Sequence, residues 1–205
     1  MPTTPIPPNT PPTLSLPPID APTLGPGGTF TVACSTRIAA PPRRCLDIVL
    51  HAPDYPKWNP FCRKCTITSP PHQTTLALST KFTFDVHLPP FPPQGQSSGD
   101  GRPTHLEVSV LEAIDDPATG RRGWRVAWQT DGGAGGIPTW LLRTERTQEF
   151  IEVEVEGGGV ETEYVCWETF YGPMARVVKL AVGGRVAGGF GGWMEGLRGV
   201  AEGVE

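Results

Sequence analysis

Alternation of apolar and polar positions dominates the middle of the chain. Leu76, Leu78, Thr80, Phe82, Phe84, Val86 and Leu88 fall on one face of a period-two run, with Ser79, Lys81, Thr83, Asp85 and His87 on the other. That spacing predicts a half-buried strand. Leu106, Val108 and Val110 alternate with Glu107 and Ser109 in a second strand over 106–114, and Trp124, Val126 and Trp128 share one face of a third over 124–129. Two further strand-like stretches, 140–155 and 160–171, are separated by Gly157-Gly158-Gly159. Turn signals at Asp116-Pro117 and Gly120, with loops over 89–103 and 131–138, divide the series. Consecutive strands joined by short turns pair as antiparallel neighbours, so the pattern predicts a meander rather than βαβ units.

Different elements flank this series. Residues 30–38 alternate as a strand, and Pro41-Pro42 introduces Cys45, Leu46, Val49 and Leu50 at helical spacing. The stretch HAPDYPKWNPF at 51–61 then sets Tyr55, Trp58 and Phe61 among Pro53, Pro56 and Pro60. Three prolines exclude one long helix, and three aromatics are too apolar to leave in water, so a short kinked element pinned against an apolar surface is expected. At the other end Met174, Val177, Val178, Ala181, Phe190, Met194, Leu197 and Ala201 recur at helical spacing after Gly172-Pro173. Nine glycines follow Met174, each costing up to about 1 kcal/mol relative to alanine in a helix interior. Either packing against the sheet holds one long helix, or it breaks near Gly183-Gly184 and Gly188-Gly189. A phosphate loop needs a strand before its glycines and a helix after, with its Lys and Ser or Thr, whereas these glycines lie inside a helical pattern.

Composition narrows the picture. A chain of 205 residues suits one domain with a sizeable core, over 29–205. Residues 1–28 contain ten prolines and only scattered aliphatics, which predicts a disordered tail. Pro5-Ile6-Pro7-Pro8 matches a PxxP pattern, as any such tail would, so weak contacts with partners are the most it implies. A net charge of -4 argues against nucleic acid as a partner. No secretory signal and no run approaching the roughly 18–20 apolar residues of a membrane span can be read, so a soluble cytoplasmic protein is expected. Cys62-Arg63-Lys64-Cys65 is half of a zinc pattern without its other half, and at the start of a strand its two thiols are expected on opposite faces. No metal or cofactor is expected. His51, His72, His87 and His105 are scattered, with His87 predicted outward, and no nucleophilic triad stands out.

The sequence Tyr55-Pro56-Lys57-Trp58-Asn59-Pro60-Phe61 resembles the YPxWNPF motif of the polyketide cyclase/dehydrase and lipid-transport branch of the START-like superfamily, often labelled SRPBCC. Ile38-Ala39-Ala40-Pro41 resembles that branch's exit from the first strand, and Glu168-Thr169-Phe170-Tyr171-Gly172 its E-x-F-x-G before the last helix. The similarity spans about residues 29–202, with long loops at 89–103 and 131–138 and the glycine-rich helix as departures. It implies an α+β helix-grip fold: a curved antiparallel β-sheet wrapped around a long C-terminal helix, two short helices after the first strand, and an internal apolar cavity. The implied function is binding of a hydrophobic small molecule (lipid, sterol, quinone or polyketide-like) as carrier or sensor, under a movable glycine-rich helix. The alternative is a cyclase or dehydratase using the same cavity, and a third reading is a solid platform whose tail recruits partners.

In such a fold Trp58 and Phe61 close one end of the groove between sheet and helix. Alternation then places Phe82, Phe84, Val108, Val110, Trp124, Val126, Trp128 and Phe170 on the concave face, facing Met174, Val178 and Phe190 from the helix. A slip of one residue would invert any of these strands. Glu168, Arg146 and Tyr164 share that face and are the candidate catalytic groups, with Cys166 and Gln148 beside them. A carboxylate and an arginine across a strand pair orient a carbonyl or form a structural ion pair, and burial would raise the carboxyl pKa toward acid or base work.

Overall fold

The alternating segments pair into one antiparallel sheet. The structure, a computed structural model, describes residues 6–15, 17–91, 101–132 and 137–204. Its strands are β1 (Thr13–Ser15), β2 (Phe30–Ile38), β3 (Cys62–Ser69), β4 (Lys81–Val86), β5 (Arg102–Asp116), β6 (Arg121–Thr130), β7 (Arg143–Val155) and β8 (Gly159–Tyr171). They lie in the order β1-β2-β8-β7-β6-β5-β4-β3. Between β2 and β3 come α1 (Pro42–Leu50), a single 3-10 turn (Ala52–Asp54) and α2 (Tyr55–Trp58), and α3 (Ala175–Glu202) closes the chain. The curved sheet grips α3, which is the helix-grip architecture. The prolines of 51–61 fit because Pro53 and Pro56 fall at element starts, where the missing N–H is not needed, and Pro60 lies in the bend between α2 and β3.

Three strands depart from simple alternation. The run expected over 76–88 becomes a strand only at Lys81. Before it, Ser79 adopts φ +64 and Thr80 donates to the Ala77 carbonyl at 3.0 Å, which leaves Leu78 59% exposed. In β5 a bulge between Val108 and Val110 shifts the register, pairing Val110 with Ala127 and Leu111 with Val126. Leu111 therefore packs into the core and Val110, expected on the concave face, points away from it. A shift in β3 between Cys62 and Lys64 brings Cys62 opposite Val86 and Cys65 opposite Phe84. Both thiols thus share the inner face, correcting the opposite-face expectation.

The helix α3 is unbroken over 28 residues. Its glycines lie where neighbours press closest: an added Cβ would meet Phe61 at Gly189, Phe91 and Pro60 at Gly192, Pro89 at Gly188 and the Trp58 carbonyl at Gly196. Close approach compensates the propensity cost, and the same contacts clamp the helix expected to be movable. Gly203 ends it at φ +73, with Val204 N–H on the Gly199 carbonyl at 2.9 Å. No helix of the described residues is long and apolar enough to cross a membrane.

Residues 6–15 and 17–28 are placed against the sheet, correcting the disordered tail that composition predicts. Ile6 and Ile19 join Ala33, Val165 and Trp167 in a small second core on the outer face of the sheet. The fully buried Glu145 carboxylate accepts from Thr23 N–H (3.0 Å), Thr23 Oγ1 (2.8 Å), Leu24 N–H (2.9 Å) and Ser109 Oγ (2.8 Å). Composition misses this strap because its backbone is satisfied by the pairing of β1 with β2 and by side chains of the sheet rather than by its own apolar content. Pro5, the first residue of the PxxP pattern, and most of the loop over 89–103 lie outside the described residues, as do residues 133–136.

Candidate functional site

The groove between sheet and α3 is filled at its centre and hollow at one end. Trp193 of α3 meets Trp58 at 5.3 Å, Tyr55 at 5.6 Å, Phe84 at 5.9 Å and Trp128 at 5.9 Å between ring centroids. Phe82 packs edge-on against Phe84 and Trp128. The motif at 55–61 is therefore chiefly a plug. Tyr55 donates to the Val49 carbonyl at 2.7 Å, and Asn59 Oδ1 accepts from the N–H groups of Phe61 (3.0 Å) and Cys62 (2.8 Å), fixing the turn into β3. Phe61 then passes from plug to wall.

Beyond it lies a cavity of about 340 Å³. Phe61, Cys62, Phe84, Val86, Leu88, Leu106, Trp128, Leu142, Phe170 and Val186 give it apolar walls, and Thr104, Thr130, Thr144, Arg146 and Glu168 supply polar atoms. Arg102, Pro103, His105 and Ile137 complete its lining. Of the residues expected from the sequence, Phe61, Phe84, Trp128, Phe170, Arg146 and Glu168 border it. Trp58, Phe82, Val108, Val126 and Phe190 are buried in the core beside it, and Val178 packs against that core. Trp124 lies under Arg43 of α1 at 5.1 Å, Met174 is half-buried, and Val110 faces away. Thr144, Leu106, Val86 and Leu88 continue the alternation of expected residues and were readable by the same rule. Leu142 and Ile137 come from an irregular segment that carries no period.

Arg146 stands on β7 opposite Glu168 of β8. It is 4% exposed, with its guanidinium 4.0 Å from the Trp193 ring centroid, 4.2 Å from Phe190 and 5.9 Å from Phe61. Its Nε donates to Cys166 Sγ at 3.3 Å, while Nη2 is buried with no hydrogen-bond partner among the described residues. No ion pair within 4.0 Å joins it to a carboxylate among the described salt bridges. Burial raises the Glu168 pKa, and the Arg146 charge and a Thr144 hydrogen bond offset this only partly. Some Glu168 surface is accessible because it borders the void, but the group lies deep, which governs desolvation. Burial also opposes ionisation of Cys166, yet hydrogen bonding with Cys34 and the Arg146 charge outweigh it and hold the thiol at about 7.

Tyr164 is placed apart from the void. Its hydroxyl donates to Gln148 Oε1 at 2.7 Å, and its ring packs on Phe150 at 5.4 Å. His87 is buried, with Nε2 2.9 Å from Asp85 Oδ2, and His51 Nδ1 lies 2.9 Å from Asp54 Oδ2. Neither reaches the cavity.

A curved antiparallel sheet closed by a long C-terminal helix, with the aromatic plug and a hollow between the layers, is the SRPBCC/START-like helix-grip fold, and the chain belongs to the family of one curated fungal protein. Among curated proteins it is 35% identical over 164 residues to "Oxopyrrolidines biosynthesis cluster protein O" of Penicillium oxalicum, covering 75% of this chain and 77% of that one. In structure it is similar to the Zhui aromatase/cyclase of Streptomyces sp. R1128, with TM-score 0.54, 12% identity and coverage of 84% of this chain and 93% of that one. It is also similar to a START superfamily protein of Mycobacterium smegmatis, with TM-score 0.50, 17% identity and coverage of 85% and 99%. No protein-family model matches the chain.

Proposed function

We propose that this protein binds a small, mostly apolar molecule bearing a carbonyl or related oxygen, held in the cavity beside Arg146 and Glu168. The observation that carries this reading is the hollow itself: about 340 Å³ with apolar walls and a few convergent polar groups. Binding pockets run from about 300 to 1,000 Å³, so this volume favours a compact ring system over a sterol or a long acyl chain. The name of the fungal relative suggests the chemistry of an oxopyrrolidine, a five-membered lactam, or of a precursor to one. Native mass spectrometry of protein purified from its own cells tests the reading. An added mass of a few hundred daltons or less is expected, and a protein that takes up no apolar probe in solution overturns it.

A second reading, a cyclase or dehydratase, is favoured by one feature. Glu168 is a carboxyl kept toward its neutral form beside a fixed guanidinium. In that reading Glu168 gives its proton to an oxygen of the guest while Arg146 holds the negative charge that develops there. Turnover abolished by Glu168→Gln with guest affinity retained separates enzyme from carrier, while unchanged handling of the guest leaves the carrier alone.

A further inference from the structure

We infer that the cavity selects an acidic guest, a carboxylate or an acidic enol, whose anion seats on Arg146 at the deep end of the pocket. This deepens the cavity reading and rests on it. A guanidinium removed from water is ordinarily matched by a carboxylate, because an unpaired buried charge is far costlier than an unpaired dipole. Arg146 has no carboxylate match: its one described hydrogen bond is Nε to the Cys166 sulfur, and that partner leaves Nη2 unmatched. Arg146 is 4% exposed, and around it are three aromatic rings and the Cys166 sulfur. Its cross-strand neighbour Glu168 makes no ion pair with it, and Nη2 donates to nothing among the described residues.

The contrast with the outer face of the same sheet is informative. There Arg125 is also buried, and it is matched by Glu149 at 2.6 Å and Glu112 at 2.7 Å. The fold is able to supply a carboxylate to a buried arginine, and on the inner face it does not.

Charge along the path points the same way. The chain carries a net charge of -4, yet the cavity lining holds two arginines, Arg102 and Arg146, against one carboxyl, Glu168. Arg102 is exposed, so an approaching anion meets one cation outside before it reaches the second inside. Apolar walls between them focus the field and strengthen the inner contact. Glu168, held toward its neutral form by burial, opposes the anion less than an ordinary glutamate would.

The test uses a matched pair of compact probes, 2-naphthoate and 2-naphthamide, titrated calorimetrically into the full-length protein near neutral pH. The acid is expected to bind at least about tenfold more tightly than the amide, as a charge-assisted contact does over a neutral one. Arg146→Gln is expected to abolish the preference for the acid, bringing the ratio of acid to amide affinity to within about twofold of one. Arg102→Gln, at an exposed position where folding is not at issue, is expected to weaken the acid about two- to threefold, and less at high salt. Equal affinity for acid and amide in the native protein overturns the inference and leaves the cavity reading in place. Binding of neither probe overturns both.

Discussion

At the scale of single residues, two glutamates on opposite faces of one sheet respond to pH with opposite sign. Glu149, fully buried on the outer face, is pushed upward by burial and pulled down further by Arg121 and Arg125, so its folded pKa lies below the ordinary value. Its stabilisation is present above about pH 4.3, the usual glutamate value, and is lost as pH falls through the folded pKa. Glu168 has a folded pKa above the ordinary value, so the native state holds its proton longer, and stability falls as pH rises from about 4.3 through the folded pKa. Urea unfolding followed across pH 3–8 is expected to show a shallower acid loss in Glu149→Gln and a gain near neutrality in Glu168→Gln. Breaking the outer pair by Arg125→Met is expected to cost about 3 kcal/mol, since it strips a buried carboxylate of one of its two arginine partners. Arg146→Met should behave differently, with an unfolding free energy at or above that of the native protein. A loss of more than about 1 kcal/mol would identify Arg146 as a prop of the core rather than a contact for the guest. Both arginines were visible in the sequence. Which of them had a carboxylate partner was not, because partner choice depends on strand register and on which face each side chain takes.

At the scale of elements, α3 shows how a poor helix sequence becomes a good helix. Gly184 has open space where a side chain would go, while Gly189 abuts the Phe61 ring. Gly184→Ala is therefore expected to stabilise the protein by about 0.5–1 kcal/mol through helix propensity alone. Gly189→Ala is expected to destabilise it by roughly 1–3 kcal/mol by overpacking, despite the same propensity gain. Denaturant midpoints of the two variants decide the matter, and equal shifts would contradict close packing as the reason for the glycines. Most strands were legible because one face meets a core and the other does not, so burial is written directly into alternation. Alternation failed where the backbone changed step without changing composition. Leu111 and Val110 are both aliphatic, and only the bulge between Val108 and Val110 decides which one turns inward. Cys62 and Cys65 share a face for the same reason. The helix stripe was read correctly at Phe190 and Leu197, but Val177 is 61% exposed, because Ala175, Val178 and Val182 take the inward face at the start of the helix.

At the scale of the whole molecule, the sheet is packed on both sides, by α3 within and by its own amino-terminal chain without. Deleting residues 1–26 is expected to lower unfolding stability by roughly 3 kcal/mol or more, since Trp167 and Val165 lose their cover and Glu145 loses the Thr23 and Leu24 donors. The deletion should also create binding of a hydrophobic dye, and an unchanged urea midpoint would show the strap to be inessential. The overall fold was readable from the sequence through the order of its elements and the aromatic motif. The hollow was readable only in outline, because a void is what remains after large rings have been fitted together, and no periodicity records that remainder. The aromatics expected to line it mostly fill the middle of the groove, and the free space lies toward one end.

The glycine contacts of α3 also bear on traffic. A roof whose spine rests on Phe61, Pro89, Phe91 and Trp58 is seated too closely to lift as a hatch. In the binding role proposed above, loading and unloading then run past the exposed Arg102 edge of the cavity, and one doorway would set both how quickly a visitor enters and how long it stays.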